Sequence, residues 1–129
     1  MGGGSQRYLI KTLRKKKILD QLFNAYHRGA VIFGNSAGAA VMSKVMILGK
    51  NDAWEKLYKE KSILSGTTKV VDGTGLTNKY IIDQHSIKRM RYARLISAVL
   101  EMPNLVGVGI DEGTSIVISN PDEFTVLGV

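Results

Sequence analysis

In Gly34-Asn35-Ser36-Ala37-Gly38 a serine stands between two glycines, two residues from each. The run before it, residues 30–33, is short and apolar, and small residues in a helical pattern follow it. This is the G-x-S-x-G spacing of a nucleophile elbow, in which a buried strand turns sharply at the serine and enters a helix. Glycines are expected beside such a turn because backbone segments approach too closely there for side chains. The turn would raise the Ser36 hydroxyl above a sheet and aim the Ala37 amide at developing negative charge. The chemistry this suits is acyl transfer by an activated serine.

A serine hydroxyl needs a base within hydrogen-bond reach and an acid to orient that base. The chain has only two histidines. His27 falls near the end of a candidate helix, where a protonated ring suits the helix dipole, and reads as a surface or structural residue. His85 follows the apolar run Tyr80-Ile81-Ile82 and then Asp83-Gln84. It therefore sits at the C-terminal end of a candidate strand, where sites form in α/β sheets. The orienting acid is Asp111 or Glu112, which follow the next strand candidate. Asp83 is a rival by proximity, but two residues along a strand is poor geometry for orienting a ring. A second oxyanion donor can come from the Gly2-Gly3-Gly4 loop, since glycine lets a backbone amide approach a substrate closely; Gly3 and Gly4 are the candidates.

These residues must be held by regular elements. Apolar positions 18, 19, 22, 23 and 26 predict a helix within residues 8–27, closed by Arg28-Gly29. A strand at 30–33 and a helix over about 37–43 follow. Residues 46–66 read as a loop with a short amphipathic helix at 53–61. Strands are predicted at 69–71, 80–83, 105–110, 114–118 and 124–129, and a helix at 87–101 that Pro103 stops. Gly107 and Gly109 suggest that another backbone passes close to their strand. The alternation predicts an α/β fold, with a mostly parallel sheet flanked by helices. No clear strand precedes 30–33 to flank it, so residues 1–129 are expected to form a single, partial domain.

Composition narrows the function. With no cysteine, the chain has no disulfide, no thiolate metal site and no cysteine nucleophile. No apolar run is long enough for a membrane span, and the N-terminus has no signal-peptide pattern. The compartment is left unknown, with a cytoplasmic location favoured. The net charge of +7 is concentrated in two blocks. Lys11 and Arg14 to Lys17 lack aromatic interleaving and read as a solvated helix face, not a nucleic-acid surface. The second block contains Arg89, Arg91 and Arg94. Guanidinium groups bind carboxylates bidentately, so a cluster beside His85 suits a substrate rich in aspartyl carboxylates.

Four segments together carry a resemblance: Gly3-Gly4-Ser5-Gln6, residues 34–43, Ile82-Asp83-Gln84-His85 and residues 107–114. In order and approximate spacing they resemble the cyanophycinase family of serine peptidases, which also contains aspartyl dipeptidase (peptidase E). Ser5, Ser86 and Ile87 depart from the family pattern. The resemblance implies Ser36 as nucleophile, His85 as general base and Glu112 as the acid that orients it. It implies that Gln6, Asp83, Gln84, Arg89, Arg91 and Arg94 contribute to the substrate site. The arginine series favours cyanophycinase over the dipeptidase. The implied reaction hydrolyses aspartyl bonds of a polymer, releasing β-Asp-Arg dipeptides, without metal or cofactor. Family members run to about twice this length, which implies either a chain that acts alone or one that needs self-association or a complementing fragment.

Overall fold

The computed structural model describes residues 1–48 and 63–128. The short helix expected at 53–61 lies outside the described residues. Helix α1 spans Gln6–Lys15 and α2 spans Ile18–His27. The short helix α3 covers Ala37–Ala40, and strands β1 (Val45–Ile47) and β2 (Val70–Asp72) follow. Strand β3 (Tyr80–Gln84) leads through a turn to α4 (Tyr92–Glu101) and then β4 (Val106–Ile110). A hairpin of β5 (Thr114–Asn120) and β6 (Glu123–Gly128) completes the order.

The class is mixed α/β, but the described strands do not form one mostly parallel sheet. They form three pairs: β3 with β4 parallel, and β1 with β2 and β5 with β6 antiparallel. Strand β1 was not expected from the sequence. It consists of three residues, and its pairing with β2 depends on a partner more than twenty residues away in sequence.

Residues 30–33 are not a strand. Val31 is 93% exposed and Phe33 71% exposed; the backbone here bonds to Ala25, whose carbonyl accepts the Ala30 amide at 3.0 Å, and to Met1, but pairs with no strand among the described residues. The Met1 amine donates to the Phe33 carbonyl at 2.5 Å, and the Asn35 amide donates to the Met1 carbonyl at 3.1 Å. An apolar run becomes a strand only when a neighbour completes its ladder. The single helix expected within 8–27 is two helices. The apolar stripe steps five residues from Leu13 to Ile18, which no helical face accommodates, and Lys17 breaks the helix at φ 53°. In the same way α4 begins at Tyr92, not at 87, because Met90 takes a left-handed conformation at φ 47°.

Strand β3 is buried along its whole length. Tyr80 and Ile82 pack with Ala39 of α3, Val108 of β4 and, from the hairpin, Ile116 and Ile118. Ile81 faces the other way, against Ile47 of β1 and Ala98, Leu95 and Val99 of α4. Burial on both faces explains why Tyr80-Ile81-Ile82 is continuous rather than alternating. Ser43 supports the same strand: its Oγ accepts the Ile82 amide at 2.9 Å. Gly107 and Gly109 admit side chains, not a second backbone. A Cβ at Gly107 would lie 2.8 Å from Val99 Cγ2, and one at Gly109 would lie 2.5 Å from Ser86 Oγ.

The N-terminal residues are held down at Gly38. A Cβ there would lie 2.1 Å from the Met1 carbonyl oxygen and 2.9 Å from that of Gly2. Gly38→Ala is therefore expected to destabilise the fold by about 1–3 kcal/mol, as overpacking typically does. Urea denaturation of the two proteins measures this, and equal midpoints would contradict it.

Candidate active site

Parallel pairing fixes the first part of the site. In register, Gln84 faces Ile110, so the chain leaves β3 and β4 at the same end and at the same level. His85 is the next residue on one side; Asp111 and Glu112 are the next on the other. The His85 amide extends the ladder by donating to the Ile110 carbonyl at 2.8 Å. His85 then turns away at φ 57°. Its Nδ1 lies 2.6 Å from Glu112 Oε1.

Ser36 arrives from the other direction, at the N-cap of α3, which packs on β3. Its Oγ is 3.2 Å from His85 Nε2. The serine backbone sits at φ 49°, ψ −118°, outside the regions that side chains favour. The turn is tight on both sides: a Cβ at Gly34 would meet the Gly38 carbonyl oxygen at 2.4 Å. The helix expected over about 37–43 is shorter, Ala37–Ala40, and the strand that should lead into the serine turn is not formed. Gly3 lies directly over the serine, with its Cβ position 3.4 Å from Ser36 Cβ and 3.8 Å from Ser36 Oγ. Nothing lies within 4 Å of the corresponding position at Gly4. The Ala37 amide opens α3, where the first amides have no intrahelical acceptor.

The tautomer with hydrogen on Nδ1 donates to Glu112 and leaves Nε2 to accept from the serine hydroxyl. Such an arrangement can take the hydroxyl proton as the oxygen attacks a carbonyl and return it to a leaving group. The acid is well suited to remain ionised. The backbone amide of Glu112 and the hydrogen bond with His85 hold its carboxyl below the usual glutamate value of 4.5. Lys88 Nζ stands 3.6 Å from the same oxygen and adds to the effect. His27 is remote in character: it is exposed at the end of α2, with its ring beside those of Phe23 and Tyr26.

The residues expected to bind substrate are sorted by burial. Asp83 and Arg94 are not presented to a ligand. Their side chains are 1% and 2% exposed and form a two-pronged ion pair. Arg94 Nε donates to Asp83 Oδ2 at 2.6 Å, and Nη2 donates to Oδ1. The reason is helix phase: with α4 starting at Tyr92, position 94 faces β3. Gln84 is buried as well, and Arg91 donates to its carbonyl at 3.0 Å and to its Oε1 at 2.8 Å. Arg91 is half-buried and Arg89 is exposed in the turn after His85. Gln6 is buried at the start of α1, three residues from Gly3. Among the described residues no group of three or more histidine, aspartate or glutamate side chains could hold a metal ion, and no helix is long and apolar enough to cross a membrane.

Two outcomes follow from these charges. Because the folded carboxyl of Glu112 titrates below its unfolded value, its stabilising contribution is complete above pH 4.5 and is lost as pH falls through the lowered value. Urea midpoints followed downward from pH 4.5 are expected to fall less steeply in Glu112→Gln than in the unaltered protein. Arg94→Met strands a buried carboxylate and is expected to cost about 3 kcal/mol or more. Adding Asp83→Leu to Arg94→Met is expected to recover most of that loss, which a double-mutant cycle reads directly.

The chain as a whole resembles known proteins. The family model "Peptidase family S51" matches residues 1–126. The chain is 37% identical over 131 residues to a cyanophycinase of Synechococcus elongatus, covering 99% of this chain and 38% of that protein. It is 33% identical over 129 residues to a cyanophycinase of Geminocystis herdmanii, with 99% and 45% covered. A cyanophycinase of Trichormus variabilis is 35% identical over 127 residues, with 98% and 40% covered. The chain thus spans about two-fifths of the length of the curated relatives it matches. A family match over nearly every residue, including all those that approach Ser36, shows that this chain belongs to peptidase family S51.

Proposed function

We propose that the chain carries the catalytic centre of a serine peptidase that hydrolyses aspartyl bonds of cyanophycin. The observation behind this reading is the continuous hydrogen-bonded path from Ser36 through His85 to Glu112. Ser36 Oγ attacks the scissile carbonyl while His85 Nε2 takes the hydroxyl proton. The negative charge that develops on the carbonyl oxygen is met by the Ala37 amide and by the backbone of Gly3, with Gly4 as the alternative donor. The tetrahedral intermediate collapses, His85 returns the proton to the departing amine, and an acyl group remains on Ser36. Water then attacks the acyl carbon with His85 again as base, the serine is regenerated, and the product leaves with a new carboxylate.

The substrate assignment rests on the named relatives, all cyanophycinases. It also rests on the guanidinium groups next to the base. Cyanophycin is a polyaspartate whose side-chain carboxylates are capped by arginine, and β-Asp-Arg is the expected product. Arg89, exposed beside His85, and Arg91, held by Gln84, are the groups proposed to meet substrate carboxylates, with Gln6 contributing from the start of α1, just after the glycine loop. Asp83 and Arg94 serve the scaffold instead. The arginine series is the reason for preferring cyanophycin to a small aspartyl dipeptide.

A second reading is that the site works only with a complementing polypeptide or a second copy of the chain. Val31 and Phe33, apolar and open beside the serine turn, favour it. Activity that appears only on adding the complement, with a matching change in molecular size, would support this alternative.

The direct test is incubation with cyanophycin and with an α-linked aspartyl dipeptide, following products by mass spectrometry. β-Asp-Arg release is expected from the polymer and is expected to vanish in Ser36→Ala. Glu112→Gln is expected to lower kcat by about a thousandfold or more while leaving KM nearly unchanged, since an amide stabilises the wrong tautomer. Hydrolysis that survives Ser36→Ala would refute the nucleophile assignment. Cleavage of the dipeptide alone would move the substrate to the small-peptide class.

A further inference from the structure

Asp111 was a candidate for the acid that orients His85, yet it makes no contact with the ring. Its carboxylate instead reaches across to the loop that carries the base. Both oxygens accept the Ile87 amide, each at 3.0 Å, and Oδ1 also accepts the Lys88 amide at 3.3 Å. These two amides belong to the turn at 86–90, which the His85 conformation begins. A helical turn leaves its first amides without acceptors, and a carboxylate is a strong partner for them.

The other end of Asp111 is fixed as firmly. Its carbonyl accepts from the Thr114 amide at 3.3 Å and from Thr114 Oγ1 at 2.8 Å. Asp111 is thus tied to the start of β5 through its backbone and to the His85 turn through its side chain. Glu112 lies between those two anchors. The turn itself is closed by Arg89 N–H to the His85 carbonyl at 3.0 Å and by Arg91 N–H to the Ser86 carbonyl at 2.6 Å. Moving the turn as a unit therefore moves His85 with it.

From this arrangement we infer that Asp111 is a positioning residue, a brace between the loop of the base and the loop of the acid that sets the contact between His85 Nδ1 and Glu112 Oε1. It acts by geometry, as an acceptor of two backbone amides, and not by placing its charge on the imidazole. The inference rests on the proposed roles of His85 and Glu112, and it makes an unusual demand. A neutral side chain of the same length should replace Asp111 better than a charged one that is longer.

The experiment compares Asp111→Asn, Asp111→Glu and Asp111→Ala in the full chain, with Glu112→Gln as reference. The first readout is the far-downfield proton resonance of a histidine Nδ1–H held by a carboxylate, recorded without substrate. It is expected in the unaltered protein and absent in Glu112→Gln. Asp111→Asn is expected to keep it, because an amide oxygen at the Oδ1 position still accepts both backbone amides, although its Nδ2 replaces the second acceptor of the Ile87 amide. Asp111→Ala and Asp111→Glu are expected to lose or broaden it. The second readout is cyanophycin hydrolysis, in which Asp111→Asn is expected to stay within about threefold of the unaltered kcat. Asp111→Glu is expected to fall about a hundredfold or more at nearly constant KM, the pattern of a group that acts only in the transition state.

If Asp111→Ala does not fold, the Asn and Glu variants decide the question alone. Equal resonances and rates in these two would overturn the brace, as would a better result for Glu than for Asn, which would mean that charge matters. If no variant or parent hydrolyses the polymer but the resonance follows the expected order, the brace stands and the substrate reading fails.

Discussion

The register of β3 against β4 is the constraint on which the site depends. Parallel strands deliver their C-terminal ends to one side, and the pairing of Gln84 with Ile110 places base and acid one step beyond it. A slip of one residue would displace the partners by about 3.3 Å, more than the whole His85–Glu112 separation can absorb. It would also turn Tyr80 and Ile82 toward α4 and Ile81 toward α3, exchanging two differently shaped packing faces. The core that stabilises β3 is thus the same device that aligns His85 with Glu112. Packing precision here serves the proposed chemistry as well as folding.

Charge is divided in the same spirit. Arg94 and Asp83 are withdrawn from solvent and join α4 to β3, just before the chain reaches His85. Arg91 steadies Gln84 at the last ladder position. Arg89 alone of the series is in the exposed turn. Three arginines that look equivalent along the chain therefore occupy three environments, from a desolvated ion pair to open solvent. A desolvated pair contributes little net stability when compared with apolar packing, but it makes misalignment of the two elements expensive. That property suits a joint next to the histidine proposed as the base.

Much of this was legible in the residues. The serine turn, the strands at β3 and β4 and the helix between them each carry local signals: flanking glycines, continuous apolar runs and a helical stripe closed by Pro103. The approach of Ser36, His85 and Glu112 follows from those elements and from the resemblance together. What could not be read depends on partners distant in sequence. Residues 30–33 have the composition of a strand but find no neighbouring strand among the described residues, only Ala25 and Met1. Strand β1 has few residues to announce it and is defined by β2. The fate of Arg94 turned on where α4 begins, and that start is set by a left-handed Met90, which has no signature in composition. Asp111 and Glu112 were adjacent and chemically alike; only the direction each side chain takes after the turn separates their contacts.

The backbone of Ser36 has an implication for how this position is maintained through evolution. At φ 49°, ψ −118°, any residue with a Cβ is held in an unfavourable conformation, at a cost of about 1–3 kcal/mol, whereas glycine is at ease there. Natural selection for folding alone would favour glycine at this position. A serine persists against that gradient only while its hydroxyl is useful. A glycine at position 36 would relieve the strain and remove the hydroxyl in one step, so folding and the proposed chemistry make opposite demands on this residue.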